Sequence, residues 1–163
     1  LSKRGPPRRS RAAAEGGSVQ PITWSKFRIY DVKDSDLDES PARAFPHVPG
    51  ALYKAVNGGI KEPACQVNFE DFFPGPAIEW FMSHDEVHYV TSGEAEIVAF
   101  APPLHKEETR VIARAGSVYL LPRGLRVTWR VLGDAPFRHL CICFPDPGYP
   151  TPLAKSVAQA EGQ

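Results

Sequence analysis

Through the second half of the chain, apolar and polar side chains alternate in short runs, cut at intervals by glycine and proline. Residues 65–70 (Cys-Gln-Val-Asn-Phe-Glu) alternate for most of their length, the period of a strand whose two faces meet different surroundings. The same reading predicts strands over 77–83, 86–91, 94–100, 109–113, 118–121, 126–132 and 137–144. Turn signals separate them: Pro74-Gly75-Pro76, Ser92-Gly93, Ala115-Gly116, Pro122-Arg123-Gly124 and Gly133-Asp134. Short strands at roughly eight- to twelve-residue spacing predict an all-β sandwich or barrel. Upstream the pattern is thinner. It predicts a first strand over 22–31, a solvated acidic loop over 31–40, a proline-bearing arm over 42–50 and a short strand over 52–56 that ends at a Gly58-Gly59 turn. A mildly helical stretch follows over 152–160. The chain then divides into a basic tail (1–20), N-terminal strands and arm (21–63), a barrel (64–147) and a C-terminal tail (148–163).

Composition narrows the classes of function. A length of 163 residues suits one domain with a core of its own. Seventeen prolines and thirteen glycines favour many short elements over a helical bundle. The formal net charge is zero, which points away from nucleic acid as a partner, and no apolar run is long enough for a membrane span. The arginines of the tail (Arg4, Arg8, Arg9, Arg11) have no interleaved aromatics, so a disordered tail is the simpler reading. Cys65, Cys141 and Cys143 are odd in number and lack a CxxC pair, which argues against a disulfide framework and for a reducing, cytoplasmic location. Cys141 and Cys143 lie two apart in a strand, on one face, and read as small buried hydrophobes.

Two segments carry a family signal. The first, Asp85-Glu-Val-His-Tyr-Val-Thr-Ser-Gly93, holds a glutamate seven residues before a glycine. The second, Gly116-Ser-Val-Tyr-Leu-Leu-Pro122-Arg-Gly124, has the form Gly-x5-Pro-x-Gly. In this order the pair resembles the two motifs of the cupin superfamily, over about residues 77–145. The stretch around Trp80, the Asp85-Glu-Val-x-Tyr-Val run and Trp129 resemble its ethanolamine-utilisation branch. The resemblance implies a cupin β-barrel (a double-stranded β-helix, or jelly roll) around a small-molecule pocket. Of the usual cupin metal ligands only Glu86 carries over. The upstream His-x-His is replaced by Glu79-Trp80-Phe81-Met82, and the downstream histidine by Val127.

The residues offer chemistry of their own. His84, Glu86 and His88 alternate, so on one continuous strand they face one side, and His139 on the last strand could join them. Imidazole with carboxylate suits one divalent metal, Zn, Fe, Mn or Ni. Without metal, a carboxylate in an apolar barrel is expected to have a raised pKa. Glu86 would then serve as general acid or base, with His88 as partner and Tyr119 as hydrogen-bond donor. A third reading has Glu86 and His88 simply satisfying each other. Trp80, Met82, Val127 and Trp129 are expected to wall the pocket. Arg126, like Arg130 and Arg138, could grip a substrate carboxylate, although strand-edge arginines are commonly solvated. Three functions follow. The first is a cupin enzyme doing lyase, dehydratase or isomerase chemistry on a small polar organic substrate. The second is a non-catalytic binding or accessory cupin of a catabolic pathway, and the third a metal-dependent dioxygenase. Open barrel edges and the proline-rich arm predict a homodimer.

Overall fold

A computed structural model describes residues 27–161. The basic tail and the first five residues of the strand expected over 22–31 lie outside the described residues. Its remainder, 27–31, carries no strand. Two antiparallel sheets build the molecule. The larger contains β1 (Arg43–Ala44), β2 (Leu52–Glu62), β3 (Cys65–Phe72), β5 (Asp85–Ser92), β8 (Val118–Leu121) and β10 (Phe137–Phe144), in the order β1-β2-β3-β10-β5-β8. The smaller contains β4 (Ile78–Phe81), β6 (Glu94–Phe100), β7 (Glu108–Arg114) and β9 (Arg126–Leu132), in the order β4-β9-β6-β7. The strands expected over 65–70 and between 77 and 144 are all present. Among the described residues no helix is long and apolar enough to cross a membrane.

The two sheets pack face to face around Phe72, Ile78, Met82, Val90, Ile97, Leu121, Val127, Trp129 and Phe137, all buried. Between β5 and β6 the chain turns at Gly93 with φ +77°, where a side chain would also run into the carbonyl of Pro136. The two motifs are stitched together by hydrogen bonds. Asp85 Oδ1 accepts from the Arg123 amide (2.7 Å), and the Met82 carbonyl accepts from the Gly124 amide (2.7 Å).

Two upstream expectations need correcting. Gly58-Gly59 does not end a strand: β2 runs on to Glu62, and the register with β3 shifts between Asn57 and Lys61. Gly59, at φ +85°, lies under the Tyr30 ring and Val157, so these glycines admit a close-packed layer instead of a turn. The acidic stretch is not a solvated loop either. Asp34–Asp38 forms a short helix, α1, that lies against the outer face of the large sheet together with α2 (Lys155–Glu161). Leu37, Val56, Ala154 and Val157 form a second small core there. The charges have partners. Arg138, on the outer face of β10, binds Asp71 through Nε (2.8 Å), Asp34 through Nη1 (3.0 Å) and Asp38 through Nη2 (2.6 Å). Asp36 accepts from the Lys33 amide, the Ser156 amide and the Ser156 hydroxyl. Burial alone would raise the pKa of Asp36, but those hydrogen bonds outweigh it and hold the carboxyl below its ordinary value.

Asp36 therefore ties α1 to α2. Asp36→Ala is expected to cost about 2 kcal/mol, the scale of hydrogen bonds to a charged group. Urea denaturation near neutral pH measures this as a lowered midpoint with the slope unchanged. The difference from wild type should shrink as pH falls below the ordinary carboxyl value, because the folded-state pKa is depressed and the contribution is lost on protonation.

Candidate functional site inside the barrel

The register of the large sheet lays out a grid of polar side chains on its inner face. Cys143 stands between Gln66 of β3 and Glu86 of β5, Cys141 between Asn68 and His88, and His139 between Glu70 and Val90. Asn57 extends the middle row on one side, and Tyr119 extends it on the other. Gln66, Asn68, His88, His139 and Cys143 are all at most 1% exposed, so this is a polar interior. Val67 and Phe69 point the other way, and Phe69 packs beneath α1 and α2, while Phe72 at the end of β3 joins the inner face. Its alternation is real, but its polar side is the inside.

Glu86 is the hub. Its Oε1 lies 2.6 Å from His84 Nε2 and its Oε2 lies 2.9 Å from His88 Nε2. An ionised carboxylate only accepts, so both imidazoles donate from Nε2. His84 sits in the bend before β5, not on the strand, yet its ring still reaches the carboxylate, and its Nδ1 is 3.0 Å from Ser83 Oγ. Neutral His88 accepts at Nδ1 from the Tyr119 hydroxyl (2.9 Å), which in turn accepts from Trp129 Nε1 (3.2 Å). The direction of each bond in the relay Trp129–Tyr119–His88–Glu86–His84 follows.

This arrangement reverses one expectation. Burial does push the Glu86 pKa up, but the hydrogen bonds and charges of His84 and His88 overcome it and hold the carboxyl down at about 2. His84 moves oppositely: burial would lower it, but hydrogen bonds to Cys143 and Glu86 raise it to about 9. His88 is lowered by burial and by the neighbouring His139. Tyr119 is raised, chiefly by burial. Glu86 is thus a fixed anion near neutral pH, and the protons reside on the imidazoles.

The remaining expected residues divide. Met82, Val127 and Trp129 are buried in the barrel, and Trp80 lies between the interior and the surface. His139 does not reach Glu86. It stacks on His88 with ring centroids 4.5 Å apart, its ring nitrogens have no hydrogen-bond partner, and Nε2 is 3.7 Å from Glu70 Oε2. Arg126 alternates with inward Val127 and so projects from the outer face, over the Phe100 ring at 4.4 Å. Arg138 is consumed by three aspartates, and Arg130 is exposed. The usual cupin ligand set does not fit, because buried Met82 and Val127 offer no donor of that kind. Two other donor groups are assembled: His84, Glu86 and Cys143, and Glu86, His88 and Cys141, each with donor atoms within 4.8 Å of one another. The sequence, with both cysteines near His139, offered them as soft ligands but favoured small buried hydrophobes, and it singled out no role for Glu70. The polar side of the 65–70 alternation was the available signal.

A cavity of about 60 Å³ lies against this network, lined by Phe45, Glu70, Phe72, Trp80, Glu86, His88 and Trp129. Beyond Trp80 lies an open groove of about 530 Å³, lined by residues including His47, Val48, Phe81 and Arg126. Trp80 belongs to both walls, and its ring meets Phe45 edge-on at 5.5 Å.

Residues 63–147 match the profile of the family described as ethanolamine utilisation protein EutQ. Among solved structures, the Clostridium difficile EutQ protein superposes with a TM-score of 0.51 at 18% identity, over 72% of this chain and 82% of that one. A putative ethanolamine utilization protein Q from Salmonella typhimurium gives 0.51 at 16% identity, over 72% and 94%. A Bacillus subtilis oxalate decarboxylase structure with Mn(II) centres gives 0.52 at 22% identity, over 69% of this chain but only 29% of that one. These likenesses establish a shared cupin fold. No curated protein sequence matches the chain significantly.

The His84–Glu86 pair predicts a pH signature. The raised His84 pKa means its contribution is full below the ordinary histidine value of 6.5 and is lost as pH rises through about 9. In chelator-treated protein, wild type should lose on the order of 2 kcal/mol more than His84→Gln between those limits, read by denaturant titration.

Proposed function

The chain belongs to the family of ethanolamine utilisation protein EutQ, and from that premise we propose that it binds a small polar organic molecule inside its cupin barrel and moves a proton on it. The observation that carries the reading is the buried relay from Trp129 through Tyr119 and His88 to Glu86, bordered by a cavity. Glu86, as a fixed anion, orients His88 and stabilises the charge that ring gains when the Tyr119 hydroxyl gives up Nδ1 and that nitrogen takes a proton from the ligand, as a carboxylate does behind a catalytic imidazole. His84 holds a proton at Nε2 on the other carboxylate oxygen. Lyase, dehydratase or isomerase steps need this kind of proton movement. A divalent metal held by donors that include Glu86 would add Lewis-acid polarisation of a ligand oxygen.

The lining also bears on ligand class. Two carboxylates, Glu70 and Glu86, face the cavity with no Lys or Arg among its lining residues. Such a wall accepts hydrogen bonds and repels anions, so it favours a neutral or cationic molecule rich in donors, such as a polyol or amino alcohol. Trp80 stands between the cavity and the groove, so a ligand reaching from one to the other would lie against its ring. The small cavity equally favours a second reading, an accessory cupin that binds without turnover. A homodimer fits the outer face of edge strand β8, which exposes Val118 and Leu120 beside Tyr89.

Calorimetric titration with amino alcohols, polyols and dicarboxylates tests the reading. Donor-rich neutral or cationic ligands should bind, and Glu86→Gln should weaken them by roughly tenfold or more, the scale of a charge-assisted hydrogen bond. Dicarboxylate binding with no response to amines or polyols would contradict it. A bound ligand recovered unchanged would select the accessory reading.

A further inference from the structure

We propose that His84, Glu86 and Cys143 form a thiolate-containing site for a zinc-class divalent cation, distinct in its ligands from the usual cupin set. Their donor atoms already lie within 4.8 Å of one another. Glu86 Oε1 is 2.6 Å from His84 Nε2 and 3.7 Å from Cys143 Sγ. Ligands about 2.0–2.3 Å from a tetrahedral zinc stand between three and four ångström apart, so small side-chain shifts suffice once the shared protons leave.

The group has the features of a built site. Cys143 and His84 are nearly inaccessible, so the donors are held by packing instead of waving in solvent. His84 comes from the bend before β5, Glu86 from β5 and Cys143 from the neighbouring β10, directly opposite Glu86 in the register. Cys143's other cross-strand neighbour is Gln66, whose Oε1 is buried with no hydrogen-bond partner. An unpaired buried oxygen acceptor on the residue paired with Cys143 is one that a fourth ligand's bound water could satisfy. The donor set also bears on the metal. A thiolate with an imidazole and one carboxylate favours Zn(II) or Co(II) over Mn(II), which prefers harder oxygen donors. The site thus differs in kind from one suited to manganese.

The competing group, Glu86, His88 and Cys141, is a poorer candidate. His88 already spends Nδ1 on Tyr119 and Nε2 on Glu86, and its ring is stacked on His139 at 4.5 Å and nearly parallel to Trp129 at 6.1 Å. Ligation there would dismantle the relay, whereas ligation at Glu86 Oε1 leaves the Oε2 bond to His88 in place.

The test uses full-length, untagged protein stripped with chelator and titrated with Co(II), read by the near-ultraviolet charge-transfer band that a thiolate ligand gives. The expected result is about one equivalent bound with that band, displaced by Zn(II) and not by Mn(II). Cys143→Ser should abolish the band and weaken binding by roughly a hundredfold, since even groups supporting a ligand are worth 10–100-fold. Cys65→Ser should leave both unchanged. If Cys143→Ser fails to fold, His84→Gln, which keeps the thiol, should weaken binding while retaining a residual band. No band in wild type, or a band that survives Cys143→Ser and is lost in Cys141→Ser, would overturn the site. Either failure leaves the proton relay standing, since that reading is decided by ligand titration of metal-free protein.

Discussion

A carboxylate placed inside a barrel costs several kcal/mol unless its charge is compensated, and Glu86 sits there at 6% exposure. Two imidazoles supply the compensation, one on each oxygen. The rest of the interior depends on this pairing. His84 is drawn in from the bend ahead of β5, His88 is locked into one tautomer, and through it Tyr119 and Trp129 are aligned. Since Tyr119 is on β8 and Trp129 on β9, the chain of bonds also joins the two sheets. The same contact therefore serves folding and chemistry, and removing either imidazole would leave a buried charge short of a partner, a change on the scale of 3–5 kcal/mol.

The pattern of the chain was enough to find the strands because turns and alternation are local. The barrel segment showed this most clearly: the bounds of β6, β8, β9 and β10 fall where alternation and glycine punctuation put them. The upstream third was less legible because its structure is tertiary. The Gly58-Gly59 pair is usually a turn signal, but here the absent side chains make room for Tyr30, Val157 and Phe69. The acidic run reads as solvated until Arg138, about a hundred residues later, is seen to gather Asp34, Asp38 and Asp71.

Glu86, His84 and His88 were legible as a cluster, since spacing on and beside one strand needs only backbone geometry. What the sequence left open was which side of β3 faces inward. Alternation shows two faces but not which one is inside: Gln66, Asn68 and Glu70 point into the barrel while apolar Phe69 is covered by helices. The sign of the Glu86 pKa shift failed for a related reason. Desolvation is predictable from burial alone, but the opposing hydrogen bonds depend on where His84 turns its ring. The cysteines entered the cluster through the pairing of β10 with β5, a contact between segments some fifty residues apart.

The central claim is that Glu86 is an anion held between a charged His84 and a neutral, singly oriented His88. Nitrogen-detected NMR of the imidazole rings, recorded across the pH range on metal-free protein, tests it most directly. The account predicts that near neutral pH His84 is fully protonated, titrating only toward about 9, while His88 stays neutral with its proton on Nε2. A His88 that titrates like a solvent-exposed histidine, or carries its proton on Nδ1, would contradict it.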